Sequence, residues 1–178
     1  KLIISKFNTL IYFISLFITI LLFPIIFFII KLIGIFYKIR FTEIFSHRYG
    51  HLGANPHGHL IEKKEDKTKV RYLDFFCTNK IGVCNMTLLN LWKKKIIILP
   101  RCIIAPTIYL LNKIYSPLKN PHTIKNFNEK GRDLNFVWDK YKPSINLSPE
   151  QHKSCVNILL NNKIEISKIK FVCLFNRD

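Results

Sequence analysis

The sequence predicts an α/β layered domain with a mainly parallel sheet, placed behind an N-terminal membrane-spanning helix. Three observations carry this. An uncharged stretch of 24 residues separates Lys6 from Lys31, and Leu10–Ile30 within it is apolar apart from Ser15, Thr19 and Pro24. Downstream, short apolar runs alternate with helix-like segments, the pattern of strands joined by helical crossovers. The run Ile169–Phe175 is continuously apolar, as expected of a strand covered on both faces.

Each element has a local reason. A bilayer-spanning helix needs roughly 20 apolar residues, and a secretory signal has a shorter apolar core with a small-residue cleavage site, so the first segment reads as a span. Pro24 is tolerable there as a kink. Residues 1–38 thus form an anchor and junction. Ile39–Phe45 is a short extended run ending at Ser46, and Val70–Cys77 is a second strand. A short helix is expected towards Leu60–Lys64, with Glu62–Arg71 as a charged surface turn. Asn85 is placed to cap a helix reaching Trp92, with Met86, Leu88, Leu89 and Trp92 on one side. Ile96–Leu99 is a third strand stopped by Pro100, and Thr107–Tyr115 is helical. Pro117–Pro143 is polar and reads as a long loop with helical fragments. Ser148-Pro149-Glu150-Gln151 opens a last helix, with serine as cap, proline in the first turn and glutamine closing a capping box.

Composition narrows the partners. Lys and Arg total 28 against 11 Asp and Glu, a net charge of +17, which suits nucleic acid, anionic lipid or phosphorylated small molecules. The lysines are scattered apart from Lys93-Lys94-Lys95. They accompany abundant Ile, Asn and Phe, as an AT-rich coding bias produces, so nucleic acid is not the expected partner. The five cysteines are odd in number and form no C-x-x-C pair, which favours free thiols in a reducing compartment. Lys1 and Lys6 precede the span, while Lys31, Lys38, Arg40 and Arg48 follow it. The positive-inside bias then places the downstream domain in the cytoplasm, on a single-pass inner-membrane protein.

The densest chemistry lies in Ser46–His59, which holds four of the six histidines and three of the six glycines. His47 and His51, four apart, would share a helix face as a metal box, as in membrane di-iron enzymes. Gly50, Gly53 and Pro56 discourage a helix through the cluster, no carboxylate lies among the histidines, and His122 and His152 are isolated. No metal and no cofactor is therefore expected. His57 and His59 read as exposed loop or helix-end residues. Arg48, Gly50 and His51 read either as a strand-to-helix turn facing a ligand or as a structural turn with a buried histidine. Glycine lets the backbone approach a ligand, a helix start favours anions, and arginine offers a bidentate phosphate donor. Arg177 and Asp178 follow the Ile169–Phe175 run and point at a site, because ligands of open α/β sheets bind beyond the carboxyl ends of strands. Phosphate-loop, dinucleotide, nucleophile-elbow and Asp-x-Asp signatures are absent. The chain also stops on that strand-like run, so a piece of a longer protein is expected.

Arg48-Tyr49-Gly50-His51-Leu52, followed by Asn55, resembles the Arg-Ile-Gly-His-Leu…Asn opening of a family of bacterial proteins classed as glycosyltransferases. Leu73-Asp74-Phe75-Phe76, Cys84-Asn85 and Leu91-Trp92-Lys93 are similar to that family's next block, and Phe171–Asp178 resembles a third, in which a strand leads into an Arg-Asp pair. The resemblance covers Arg48–Asp178 in three short blocks. This chain departs from it with Tyr49 for isoleucine, Gly53 for alanine, and His57-Gly58-His59.

The resemblance implies a Rossmann-like, two-lobed transferase of the GT-B type. Residues 39–165 would be its first lobe, and residues 166–178 would open the second. The implied activity is transfer of a sugar from a nucleotide-sugar donor to a surface glycan or a lipid-linked acceptor. Arg177 and Asp178 would hold the donor, Arg48, Gly50 and Asn55 would shape the cleft, and His51 would be the base for the acceptor hydroxyl, since an imidazole exchanges its proton near neutral pH. Positive groups would stabilise the leaving diphosphate without a metal. Lys38 and Arg40 would rest on anionic headgroups. Two other classes stay open: a histidine-box membrane oxidoreductase and a non-catalytic assembly protein of a polysaccharide system. This piece alone is expected to be inactive.

Overall fold

A computed structural model describes residues 2–68, 70–129 and 138–162. The chain divides into two compact units, Lys1–Ser144 and Ile145–Asp178.

The first unit is a mixed α/β domain around a three-stranded parallel sheet of order β1-β2-β3, with β1 at Lys38–Ile44, β2 at Tyr72–Thr78 and β3 at Ile97–Ile98. The register sets Arg40 beside Asp74 and Phe41 beside Phe75. Strand alternation sorts these residues onto two faces. Ile39, Phe41 and Cys77 form a core with Ile104 and Leu111 of α4 (Arg101–Tyr115) and Ile30 of α1 (Leu2–Ile33). Burial pushes the Cys77 thiol up to about 12, so it stays protonated as an inert core group. On the opposite face, Phe76 meets the rings of Phe127 and His59, the latter on α2 (Tyr49–Glu65). The outer edge of β1 is covered by residues 122–124, where the Phe41 amide donates to the His122 carbonyl at 2.7 Å.

The second crossover helix, α3 (Met86–Lys93), begins as expected: the Asn85 side chain accepts from the Leu88 amide at 2.8 Å, and Trp92 is buried. Two helices begin earlier than expected. α2 runs straight through the histidine-glycine cluster, Pro56 included, because Leu52, Asn55, Pro56 and His59 face inward at helical spacing and tertiary burial overrides the weak local propensity. α4 begins at Arg101, directly after Pro100, and carries Pro106 inside it. Proline cannot donate to the carbonyl four residues back, which here belongs to Cys102. The Ser15 hydroxyl of α1 donates to that carbonyl instead.

α1 contains one stretch, Phe13–Ile33, long and apolar enough to cross a membrane, and it continues through Pro24. Its Thr19 and Ile30 are buried and Ser15, Phe23, Ile26, Phe27 and Ile33 half-buried, a stripe turned to α4 and the core. Phe13, Phe17, Leu21 and Phe28 are exposed.

Gly82, in the turn after β2, has φ +125° with open space where a Cβ would stand. A substitution there is a test of backbone alone. Gly82→Ala is expected to cost about 1–3 kcal/mol, read as a shift of the urea midpoint with unchanged slope. The turn is otherwise well anchored: Ser46 Oγ donates to the Gly82 carbonyl at 2.6 Å and accepts from the Asn79 amide at 3.0 Å.

In the second unit, α5 (Pro149–Asn161) carries the expected capping box, with the Gln151 amide on Ser148 Oγ at 3.2 Å and the Ser148 amide on Gln151 Oε1 at 2.9 Å. The strand expected at Ile169–Phe175 lies outside the described residues.

Candidate functional site

Polar side chains of the first unit gather in two places. One is the carboxyl end of the sheet, where open parallel sheets bind ligands. β1 ends at Ile44, and the chain turns through Phe45–His47 into α2 with Arg48 as an extended N-cap residue. No side chain caps this helix start, so the amides of Gly50 and His51 stand in an uncapped first turn. Arg48, Tyr49 and Gly50 are exposed, and nothing lies within 4 Å of where a Gly50 Cβ would be. His51 is half-buried, its ring edge-on to Phe45 at 5.6 Å.

Behind His51, Asn55 is fully buried. Its Nδ2 lies 3.2 Å from His51 Nδ1 and 3.4 Å from Asn128 Oδ1, and Asn128 in turn donates to the Glu43 carbonyl at 3.4 Å. The buried Asn55 Oδ1 has no hydrogen-bond partner among the described residues. Asn55 therefore supports His51 from inside rather than lining the surface. The same edge carries an acid and a base that the sequence did not single out. Glu43 pairs with Arg101 at the start of α4 and accepts from Asn79 Nδ2 at 2.6 Å. Three separate strand ends supply these residues, so no local spacing could have brought them together. Of the residues singled out from sequence, Arg48, Gly50, His51 and Asn55 share this edge, while Arg177 and Asp178 lie outside the described residues.

The second cluster lies under α2, towards the amino half of the strands, and it corrects two expectations. His59 is not an exposed helix-end residue. It is 3% exposed, and its Nε2 lies 3.1 Å from Asp74 Oδ2. An ionised carboxylate only accepts, so Nε2 carries the proton. Arg40 is not free for headgroups either: it clamps Asp74 with two bonds of 2.7 and 3.0 Å while its guanidinium stacks 3.7 Å from the Tyr72 ring. Lys63 adds a third donor at 3.1 Å. Burial alone would raise the Asp74 carboxyl, but the His59 and Arg40 hydrogen bonds and the arginine charge outweigh it and hold it well below the usual carboxylate range. His57, also expected to be exposed, is half-buried with Nδ1 2.7 Å from Ser144 Oγ. Beside Asp74, Arg40, His59, Glu62, Lys63, Asp66 and Tyr72 line a cavity of about 220 Å³. The Asp74 network satisfies its own charges and ties β1, β2 and α2 together.

As for a histidine metal box, no group of three or more His, Cys, Asp or Glu side chains is placed to hold a metal among the described residues. No protein-family model matches the chain, and neither does a curated protein or a solved structure.

Proposed function

We propose that the chain is the membrane-anchored first lobe of a GT-B-type glycosyltransferase, in which the carboxyl edge of the sheet receives the acceptor of a sugar from a nucleotide-sugar donor. The observation that carries this reading is where the transferase-like block Arg48–Leu52 lies: at the β1–α2 turn, with His51 backed by the buried Asn55. In this reading His51 takes the proton of the acceptor hydroxyl, Arg48 and the uncapped first turn of α2 attract its anionic groups, and Arg177 with Asp178 engages the donor. α1 crosses the inner membrane and the domain faces the cytoplasm, as the excess of Lys and Arg after the apolar stretch supports. A nucleotide-sugar panel, each donor carrying a labelled sugar, tests this in membranes containing the protein expressed from its complete reading frame. Transfer, or slow hydrolysis, of one donor is expected. No consumption of any donor would end the transferase reading and leave a non-catalytic assembly role.

A further inference from the structure

The three most exposed large apolar side chains among the described residues, Ile35, Phe36 and Leu118, are 72%, 73% and 88% exposed, and all lie at the Lys31 end of α1. They come from two turns that tertiary contacts bring together. The first, Gly34–Tyr37, joins α1 to β1. The Gly34 amide donates to the Ile30 carbonyl at 2.9 Å, and a Cβ on Gly34 would stand 2.9 Å from that same oxygen, so the tight exit from the helix needs glycine. The second, residues 116–119, follows α4. It opens on Ser116 at φ 57°, a left-handed conformation that a residue other than glycine holds only at a cost. Phe27 of α1 meets Tyr115 of α4 at 6.4 Å, and Lys31 Nζ lies over both rings. Tyr115 packs on His122, whose Nδ1 donates to the Ile39 carbonyl at 2.9 Å. Both turns therefore stand at the amino end of the sheet, where the Lys38 amide donates to the Arg71 carbonyl at 2.7 Å.

Charge follows the same layout. Residues 1–42 and 75–128 contain no Asp or Glu. Arg40 is committed to Asp74, but Lys31, Lys38, Arg71 and Lys119 are exposed around the two turns. We propose that residues 34–38, Arg71 and residues 116–119 form a foot that docks on the anionic headgroups of the leaflet at the Lys31 end of α1. Continuity with α1 names this partner. The apolar stretch ends at Ile33, so a helix that crosses hydrocarbon delivers Gly34–Lys38 into the headgroup layer. Apolar tips ringed by cations fit that layer, where the tips reach the acyl boundary and the cations attract anionic lipid. This is the end of the stretch that the proposed function puts on the cytoplasmic side. The inference rests on the anchoring in that reading and not on its chemistry.

The test adds one tryptophan at a time to the full-length protein in nanodiscs of acyl-brominated phosphatidylcholine, with or without phosphatidylglycerol. Subtracting the wild-type spectrum removes Trp92 and Trp138. Leu118→Trp should be quenched by the bromines, and more so with phosphatidylglycerol. Ile81→Trp, at a position 68% exposed in the turn after β2 and so at the opposite end of the sheet, should not be quenched. Lys38→Glu and Lys119→Glu, each added to Leu118→Trp, should lower the ratio of docked to undocked protein by roughly fivefold, one lysine's share of the attraction to an anionic surface. The gain from phosphatidylglycerol should vanish at high salt. Equal quenching at positions 81 and 118, or none at 118, would overturn the foot. Quenching at 118 that was indifferent to phosphatidylglycerol and to both charge reversals would overturn its docking on anionic headgroups. A wild type that did not float with vesicles at high salt would overturn the anchor and the foot together. Donor consumption enters none of these readings, so the foot and the transferase chemistry fail separately.

Discussion

Asp74→Ala is expected to be the most destabilising single change in the first unit, at about 3 kcal/mol, the low end for removing one member of a buried ion pair. The lower end applies because Arg40 and Lys63 keep some contact with water, their side chains being 18% and 39% exposed. The loss is not one contact. Arg40 loses both of its bonds to Asp74, the buried His59 loses the acceptor of its Nε2 proton, and Lys63 keeps only the Tyr72 carbonyl at 3.0 Å. For a unit of this size the melting temperature should fall by roughly 6–12 °C. pH separates charge from shape. The folded-state pKa of Asp74 lies below its unfolded value, so its stabilisation is present in full above the unfolded carboxylate value, near pH 4, and is lost as pH falls towards the folded value. Urea midpoints of wild type and Asp74→Asn should therefore differ most at neutral pH and converge on acidification. A gap that stayed constant down to pH 3 would mean that the network acts through packing rather than through charge.

How much of this was legible in the sequence depends on whether the signal was local. The Asn85 cap and the Ser148–Gln151 box sit in the structure as read, because a cap is a contact over three residues and its chemistry is written in those residues. The three strands lie within a residue or two of the runs that announce them, since β-branched and aromatic runs carry their own signal. α2 was hidden. Its inward stripe of Leu52, Asn55, Pro56 and His59 contains two polar residues and a helix breaker, so hydrophobic periodicity could not show it. The first turns of α4 are hidden for the same reason, Pro106 masking a helix whose orphaned carbonyl finds its donor 87 residues earlier in the chain. The Asp74 hub was out of reach because its partners come from β1 and from the far end of α2. In the candidate site, the turn Arg48–His51 was readable from its residues, whereas Glu43, Asn79 and Arg101 reach the same edge only through the parallel register of the sheet. The apolar N-terminal segment was the easiest element to find, yet nothing in its composition marked the stripe that faces α4.

In the transferase reading, His51→Ala is expected to lower kcat/KM for sugar transfer by roughly 10²–10⁴, the usual contribution of a positioned general base. Loss of activity alone would not separate a base from a structural histidine, and Asn55 supplies the separation. With its Nδ2 towards His51 Nδ1, Asn55 makes Nδ1 the acceptor and leaves the proton on Nε2. To receive a proton at Nε2, the imidazole needs the other tautomer, with Nδ1–H donating to Asn55 Oδ1, the buried oxygen that lacks a partner among the described residues. Turning the amide over exchanges one arrangement for the other at the expense of a 3.4 Å contact to Asn128, which is weak. Asn55 is thus a positioning residue that sets which nitrogen is basic. Asn55→Asp removes the choice, because a carboxylate only accepts and so holds the proton on Nδ1. It also stabilises the imidazolium. The base works when deprotonated, so the acid limb of the kcat/KM profile should move to higher pH in Asn55→Asp and disappear in His51→Ala. Asn55→Leu, of similar size and unable to hydrogen-bond, should lower kcat with little change in KM. An acid limb that stayed in place in a folded Asn55→Asp protein would remove His51 from the reaction.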